Sequence, residues 1–303
     1  MKKILVTGSN GLLGQKLTDL CRNRTDVELV ASSKGEDRYP DKQGYYYEDL
    51  DVLNANSIRE VVLRHSPDAI INTAAMTNVD QCEYERELAY ALNVQVVQDL
   101  ANICLEFDIH LVHLSTDFIF DGEHGPYREE DEPNPLSYYG QTKLEAERIL
   151  ENAQCKSAIL RTIIVYGVVK DMSRSNIVLW AKQALEKGEP IKVVYDQWRM
   201  PTLAEDLADG CLLAVDRQAT GVYNISGSDM MSIVELVERV ADFWKLDKSL
   251  ITPISSNSLN QRARRPKKTG FVLEKSMRDL NYQPRSFETG LAIVDLQLQV
   301  AGS

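Results

Sequence analysis

The sequence has no long hydrophobic run. Its most apolar stretch, SAILRTIIVYGVV, is too short and too interrupted to span a bilayer, so no membrane partner is expected. Cysteine never occurs as a CxxC pair. The five (Cys21, Cys82, Cys104, Cys155, Cys211) are scattered and odd in number, which argues against a disulfide framework and fits small core hydrophobes in a reduced, cytoplasmic protein. Histidine is scarce, and His65, His110, His113 and His124 lack metal-ligand spacing, so no metal site is assigned; His110 and His113 fall in an apparent strand, as packed or hydrogen-bonded side chains. Positive charge is in deficit as well: a net charge of −11 argues against a general nucleic-acid binder. At the N-terminus MKK leads into ILVTGSNG, a strand and glycine turn rather than a signal peptide.

What is present is an alternation of strand-like and helix-like segments. KKILVTG precedes a helical LLGQKLTDLCRNR with Leu13, Leu17 and Leu20 on one face, and VELVAS, YYYED, DAIINTAA and IHLVHLST recur as strands between helical stretches such as YERELAYALNVQVVQDLANICLEF. Such a pattern predicts an α/β fold: a Rossmann-type doubly wound parallel sheet, followed by a smaller mixed α/β C-terminal substrate lobe. The expected division is residues 1–167 for nucleotide binding and 168–303 for the substrate lobe, the two partly interleaved. SAILRTIIVYG reads as one strand, and the acidic REEDE at 128–132 as an exposed loop.

TGSNGLLG places Gly8, Gly11 and Gly14 directly after the first strand and at the opening of the first helix. Glycines there permit a tight turn and close backbone approach to a diphosphate, which the helix N-terminus favours through its open N–H groups. Three glycines alone are a weak signal; the strand–turn–helix context strengthens it. The second strand ends in VASSKGEDR, where Ser32, Ser33 and Lys34, with Arg38 nearby, suit a 2′-phosphate and favour NADPH; Glu36 and Asp37 keep NADH open as the alternative. Asp49 and Leu50 follow the third strand at the expected adenine edge, and Asn72-Thr73-Ala74-Ala75 ends the fourth with small side chains. Asn10, Leu12, Ala74, Ala75, Thr77, Asn93 and Ser115 complete the expected cofactor set.

In SYYGQTK, Tyr139 but not Tyr138 lies four residues before Lys143, so the two share a helix face. A free tyrosine titrates near ~10, too high for a proton shuttle at neutral pH; an adjacent ammonium favours the phenolate and lowers that value. STDFIFDG supplies Ser115 and Thr116 at the end of the fifth strand, the edge where open α/β sheets bind ligands. A Tyr-x-x-x-Lys pair arises often by chance, but its coincidence with the glycine turn and the strand-end hydroxyls does not.

TGSNGLLG, STDFIFDG, YGQTK, DQWRMPT and RARRP together, in this order and spacing, resemble the extended short-chain dehydrogenase/reductases, and among them the dTDP-4-dehydrorhamnose reductase family, from residue 1 to about residue 295. The resemblance implies that Tyr139 gives a proton to a ketone oxygen as hydride arrives, that Lys143 binds the nicotinamide ribose and lowers the tyrosine, and that Thr116 holds the carbonyl. It also places Asp117, Phe118, Asp196, Gln197, Arg199, and Arg264 or Arg265 beside a nucleotide-sugar substrate, with an arginine on the diphosphate; Lys267 and Lys268 read as solvated. Two departures fall on the substrate side: Ile164 stands where the family commonly has tryptophan, and Arg199 where it commonly has glycine.

The expected activity is NAD(P)H-dependent reduction of the C4 ketone of a 4-keto-6-deoxy nucleotide sugar, most closely dTDP-4-dehydrorhamnose to dTDP-L-rhamnose, in a protein compatible with a homodimer. A dehydratase is discounted because Phe118 stands where related dehydratases carry a glutamate. An epimerase sharing Thr116, Tyr139 and Lys143 stays open, as does an NADP-binding regulatory subunit, since the β subunit of methionine adenosyltransferase resembles the same family.

Overall fold

A computed structural model describes residues 1–170, 175–259 and 261–301. Seven parallel strands form the central sheet. They are β1 (Lys2–Thr7), β2 (Val27–Ser33), β3 (Tyr46–Asp49), β4 (Ala69–Asn72), β5 (His110–Thr116), β6 (Ser157–Thr162) and, after four short intervening strands, β11 (Gly221–Asn224). Their order is β11-β6-β5-β4-β1-β2-β3. The chain therefore reverses direction across the sheet between β1 and β4, and the crevice at their C-terminal ends is where such sheets bind ligands.

Strand alternation explains how both faces are covered. Ile4 and Val6 point into a core with Leu17 of α1 (Leu12–Arg22), whereas Leu5 points into a second core with Ile58 of α2 (Ala55–His65). All four residues of β4 are buried, as expected of a parallel strand with helices on both sides. The long helix predicted over 84–107 forms as α3 (Val79–Tyr84), α4 (Arg86–Tyr90) and α5 (Val96–Phe107), with one π turn at Ala91–Gln95. The helix carrying SYYGQTK is α6 (Tyr138–Asn152), whose N-cap Ser137 accepts from the Gly140 N–H.

The expected single strand at SAILRTIIVYG divides. β6 ends at Thr162, and β7 (Val165–Tyr166) leaves the sheet, the break falling at Ile164 with φ +26°. That conformation is rare for a β-branched residue. Beyond it come α7 (Ile177–Glu186), β8 (Ile191–Val194), β9 (Trp198–Arg199), β10 (Thr202–Leu203) and α8 (Ala204–Asp216). β10 pairs with β7. α8 packs on the same sheet face as α1, through Leu207 and Cys211, while β11 hydrogen-bonds β6, so the central layer draws on both halves of the chain. The remaining elements are β12 (Met231–Ser232), α9 (Ile233–Trp244), β13 (Ile251–Ile254) and α10 (Phe287–Ala301). α9 opens with a capping box between Ser232 and Glu235 and buries Leu236, Val237 and Val240 in a separate core with α7 and β8. No helix among the described residues is long and apolar enough to cross a membrane.

Candidate active site

A cleft of about 480 Å³ opens at the C-terminal ends of β1, β4 and β5. At one end lies the glycine turn. Gly8 has φ +72°, and a Cβ there would stand 2.9 Å from the Ala74 nitrogen; a Cβ on Gly14 would strike the Gly8 carbonyl and the Ser9 backbone. The first glycine thus makes the turn, and the third lets α1 lie against it. α1 starts at Gly11 with no side-chain cap and no acid in its first turn, and the buried Ser9 hydroxyl has no partner among the described residues. Bare N–H groups, a positive helix end and an unsatisfied hydroxyl fit the diphosphate of a dinucleotide. Gly8, Asn10, Gly11 and Leu12 all line the cleft.

The adenosine end is built differently from expectation. Ser33 lines the cleft and accepts from the Asn10 N–H at 3.4 Å. Asn10 is a loop-former: its Oδ1 accepts from the Arg38 N–H at 2.8 Å and its Nδ2 donates to the Glu36 carbonyl at 2.9 Å. Ser32 is corrected to a sheet residue, fully buried with its hydroxyl donating to the Val6 carbonyl at 3.0 Å. Lys34 turns outward to Asp51 at 2.7 Å, Asp49 holds the Gly35 N–H at 2.6 Å, and Leu50 is core. Arg38, exposed on this loop and without an ion-pair partner among the described residues, is the cation left over.

At the other end Ala74, Ala75, Thr77, Ser115, Thr116 and Phe118 line the cleft, together with Tyr139 and Lys143. Asn93 does not. It sits buried in the π turn, accepting from the Met76 N–H at 2.8 Å and donating to the Met76 carbonyl and the Thr142 hydroxyl at 3.1 Å, so it fixes the loop after β4 against α6. Ser115 donates to the Glu147 carboxylate, which also forms a buried ion pair with Arg161 at 2.7 Å. These bonds anchor the end of β5 to α6.

Lys143 Nζ donates to the Leu114 carbonyl at 2.6 Å and stands 3.0 Å from His113 Nε2. Burial pushes its ammonium down to about 8, against the pull of Glu147. Tyr139 departs from the sequence expectation. Burial holds its phenol above the ordinary value, the Thr116 hydroxyl drawing it back and nearby Asp117 adding to the rise. In the polypeptide alone Lys143 is therefore spent on β5 rather than on lowering the tyrosine. Phe118 packs edge-on against Tyr139, with ring centroids 5.9 Å apart, so the residue after Thr-Asp shields the phenol and offers no second acid.

The substrate residues divide sharply. Asp117 is buried, accepting from Thr269 and facing Arg199, whose guanidinium also donates to the carbonyls of Trp198, Pro266 and Lys267. Arg199 is corrected from substrate ligand to internal strut. Asp196 is occupied by Ser255 and Ser256, and Gln197 is buried away from the cleft. Arg265 pairs with Asp80 at 2.6 Å, and Arg264 is exposed; neither lines the cleft. Sequence reasoning missed Gly167, Asn176 and Leu207 as lining residues. The signal for Asn176 was its place as N-cap of α7, where it also donates to the Gly167 carbonyl at 2.7 Å.

Among curated proteins, the chain is 30% identical to the methionine adenosyltransferase 2 subunit beta of Xenopus tropicalis over 87% of its own length and 78% of that protein. It is 29% identical to a dTDP-4-dehydrorhamnose reductase of Aggregatibacter actinomycetemcomitans over 96% and 97% of the two chains. Among solved structures, a dTDP-4-dehydrorhamnose reductase of Bacillus anthracis in complex with NADP superposes with a TM-score of 0.84 at 28% identity, covering 98% of this chain and 100% of that one. Residues 1–298 match the model of the RmlD substrate binding domain, and with the glycine turn, the strand order and the Thr116, Tyr139 and Lys143 cleft this establishes that the chain belongs to that dTDP-4-dehydrorhamnose reductase-like family.

Proposed function

We propose that the protein is an NADPH-dependent reductase of the C4 ketone of a 4-keto-6-deoxy nucleotide sugar, with dTDP-4-dehydrorhamnose as the first substrate to test. The observation that carries this reading is the convergence of Thr116, Tyr139 and Lys143 on one wall of the cleft whose other end is the glycine turn. A bound reduced nicotinamide supplies the hydride. Thr116 positions the ketone oxygen by a hydrogen bond, Tyr139 gives that oxygen its proton, and Lys143 steadies the charge left on the phenol. Phe118 packs edge-on against the Tyr139 ring, and the small side chains of Ala74 and Ala75 leave room for a cofactor on the same cleft.

The test follows loss of the reduced-nicotinamide absorbance with dTDP-4-keto-6-deoxyglucose, with and without an added 3,5-epimerase. Oxidation only when the epimerase is present supports the rhamnose-type reductase. Oxidation without it points to another deoxysugar. Silence in both, with NADPH still bound, favours a second reading, a nucleotide-binding regulatory subunit, which the 30% match to a methionine adenosyltransferase subunit supports.

A further inference from the structure

The loop between β2 and β3 has one internal anchor. Of residues 34–45 only Tyr39 is buried, at 2% exposure, while Arg38 beside it is exposed. The Tyr39 hydroxyl donates to the Asp19 carboxylate on α1 and accepts from Lys170 Nζ at 2.5 Å. Lys170 Nζ also donates to Asp19 Oδ1 at 2.6 Å and stands 4.4 Å from the centre of the Tyr39 ring. The three groups close a triangle.

The polarity of that triangle is fixed. An ammonium only donates and a carboxylate only accepts, so the hydroxyl between them takes one bond and gives the other. Burial and the Asp19 carboxylate hold the Tyr39 phenol above its ordinary value, against Lys170, so it keeps the proton it offers.

Lys170 comes from a distant part of the chain. It follows Gly167 and Val169, which line the cleft, and its own N–H donates to Gln15 Oε1 at 2.8 Å. One lysine thus fastens the cleft wall after β7 both to α1 and to the loop after β2. From the other side, Asn10 Oδ1 of the glycine turn accepts the Arg38 N–H at 2.8 Å. Asp37 accepts from the Tyr45 hydroxyl at 2.7 Å and from the Tyr39 N–H at 3.0 Å. The Arg38 backbone is therefore pinned by both its neighbours and the glycine turn. Its guanidinium stays exposed, without an ion-pair partner among the described residues. A cation whose backbone is already in place loses less freedom when it meets an anion.

We propose that Tyr39, held by Asp19 and Lys170, is a positioning residue for a nucleotide 2′-phosphate: it fixes the backbone from which Arg38 reaches that group, and so sets a preference for NADPH over NADH. This rests on the NADPH reading above and needs no turnover. Lys170 and Asp19 act through Tyr39 and not on the nucleotide.

The test is the ratio of NADH to NADPH dissociation constants, read by cofactor fluorescence on the full-length chain without substrate. The two nucleotides differ only in the 2′-phosphate, so a general loss of stability leaves the ratio where it was. The unaltered chain should favour NADPH. Tyr39→Phe keeps the ring and removes the hydroxyl, and should narrow the ratio by roughly three- to fivefold, less than the loss of Arg38 itself. Lys170→Met, at a partly exposed position, should narrow it in the same direction. With Arg38→Ala already present, neither substitution should narrow it further, the non-additivity expected of residues that act through the arginine. Equal affinities in the unaltered chain would remove the NADPH reading and the proposal with it. A ratio that survives Tyr39→Phe, or an equal weakening of both nucleotides, overturns the proposal alone and leaves Tyr39 a structural post. A further loss on adding Lys170→Met to Arg38→Ala overturns it too, because the lysine would then meet the phosphate itself.

Discussion

Arg199 Nε stands 3.5 Å from Asp117 Oδ2, with both side chains only 2% exposed. This ion pair joins β9 to the residue beside Thr116, and Thr269 completes it from a third segment. Burial raises the Asp117 carboxyl, an effect Arg199 opposes, so the pair is what keeps a carboxylate tenable there. Removing one partner leaves an uncompensated charge. Arg199→Met should lower unfolding free energy by about 3–5 kcal/mol in urea titration. Adding Asp117→Asn to that variant should recover a large part; full additivity of the two losses would show that the residues do not act as a pair.

Tyr139→Phe should lower NADPH oxidation by a factor of roughly 10²–10⁴ while nucleotide affinity, followed by cofactor fluorescence, stays within about twofold. In the proposed reaction the hydroxyl serves the reacting oxygen, whereas the ring, packed against Phe118, shapes the cleft and is retained. A variant that keeps full turnover removes Tyr139 from the chemistry.

The loop after β2 makes a contrast between two cations. Lys34 is paired with Asp51, and Arg38 is free of such a partner among the described residues. Arg38→Ala should weaken NADPH roughly tenfold and NADH little, because a charge-assisted bond to the 2′-phosphate is worth about 1.5–3 kcal/mol. Lys34→Ala should change both by less than about twofold. Equal losses for the two nucleotides on Arg38→Ala would place the arginine elsewhere.

The Lys143 titration has a signature in stability. Its folded value, about 8, lies below its ordinary 10.5. Between those two values the unfolded chain holds more protons, so stability rises with pH across that window and the full cost of the buried ammonium is present below it. Relative to Lys143→Met, the native protein should therefore be penalised by about 3 kcal/mol at neutral pH, the difference vanishing above the ordinary lysine value. Urea midpoints against pH for the two proteins measure it. A difference that does not vary with pH would show that Lys143 titrates normally.

Much of this protein is written locally. Apolar runs such as KKILVT ending in glycine, and helices with Leu13 and Leu17 on one face, report their own secondary structure because period and turn chemistry are properties of neighbouring residues. The glycine turn and the four-residue spacing of Tyr139 and Lys143 are local in the same sense. Ile164 was not legible in this way: its stretch carries the pattern of a continuing strand, and only the departure of β7 toward β10 imposes the break.

The sequence by itself determined the alternating α/β order, the glycine turn and the helix carrying Tyr139 and Lys143, all encoded within a few residues of one another. Which polar side chains face the cleft was decided only in three dimensions. Ser32 and Ser33 are adjacent, yet the pleat buries one hydroxyl against β1 and leaves the other on the cleft. Arg199 and Arg265 look like anion ligands in the chain, but each is taken by a carboxylate from a distant segment, Asp117 and Asp80. His113 meets Asn72 and Lys143 only when folding brings β4, β5 and α6 together. A charge's partner depends on which strands are brought together, and no local pattern records that.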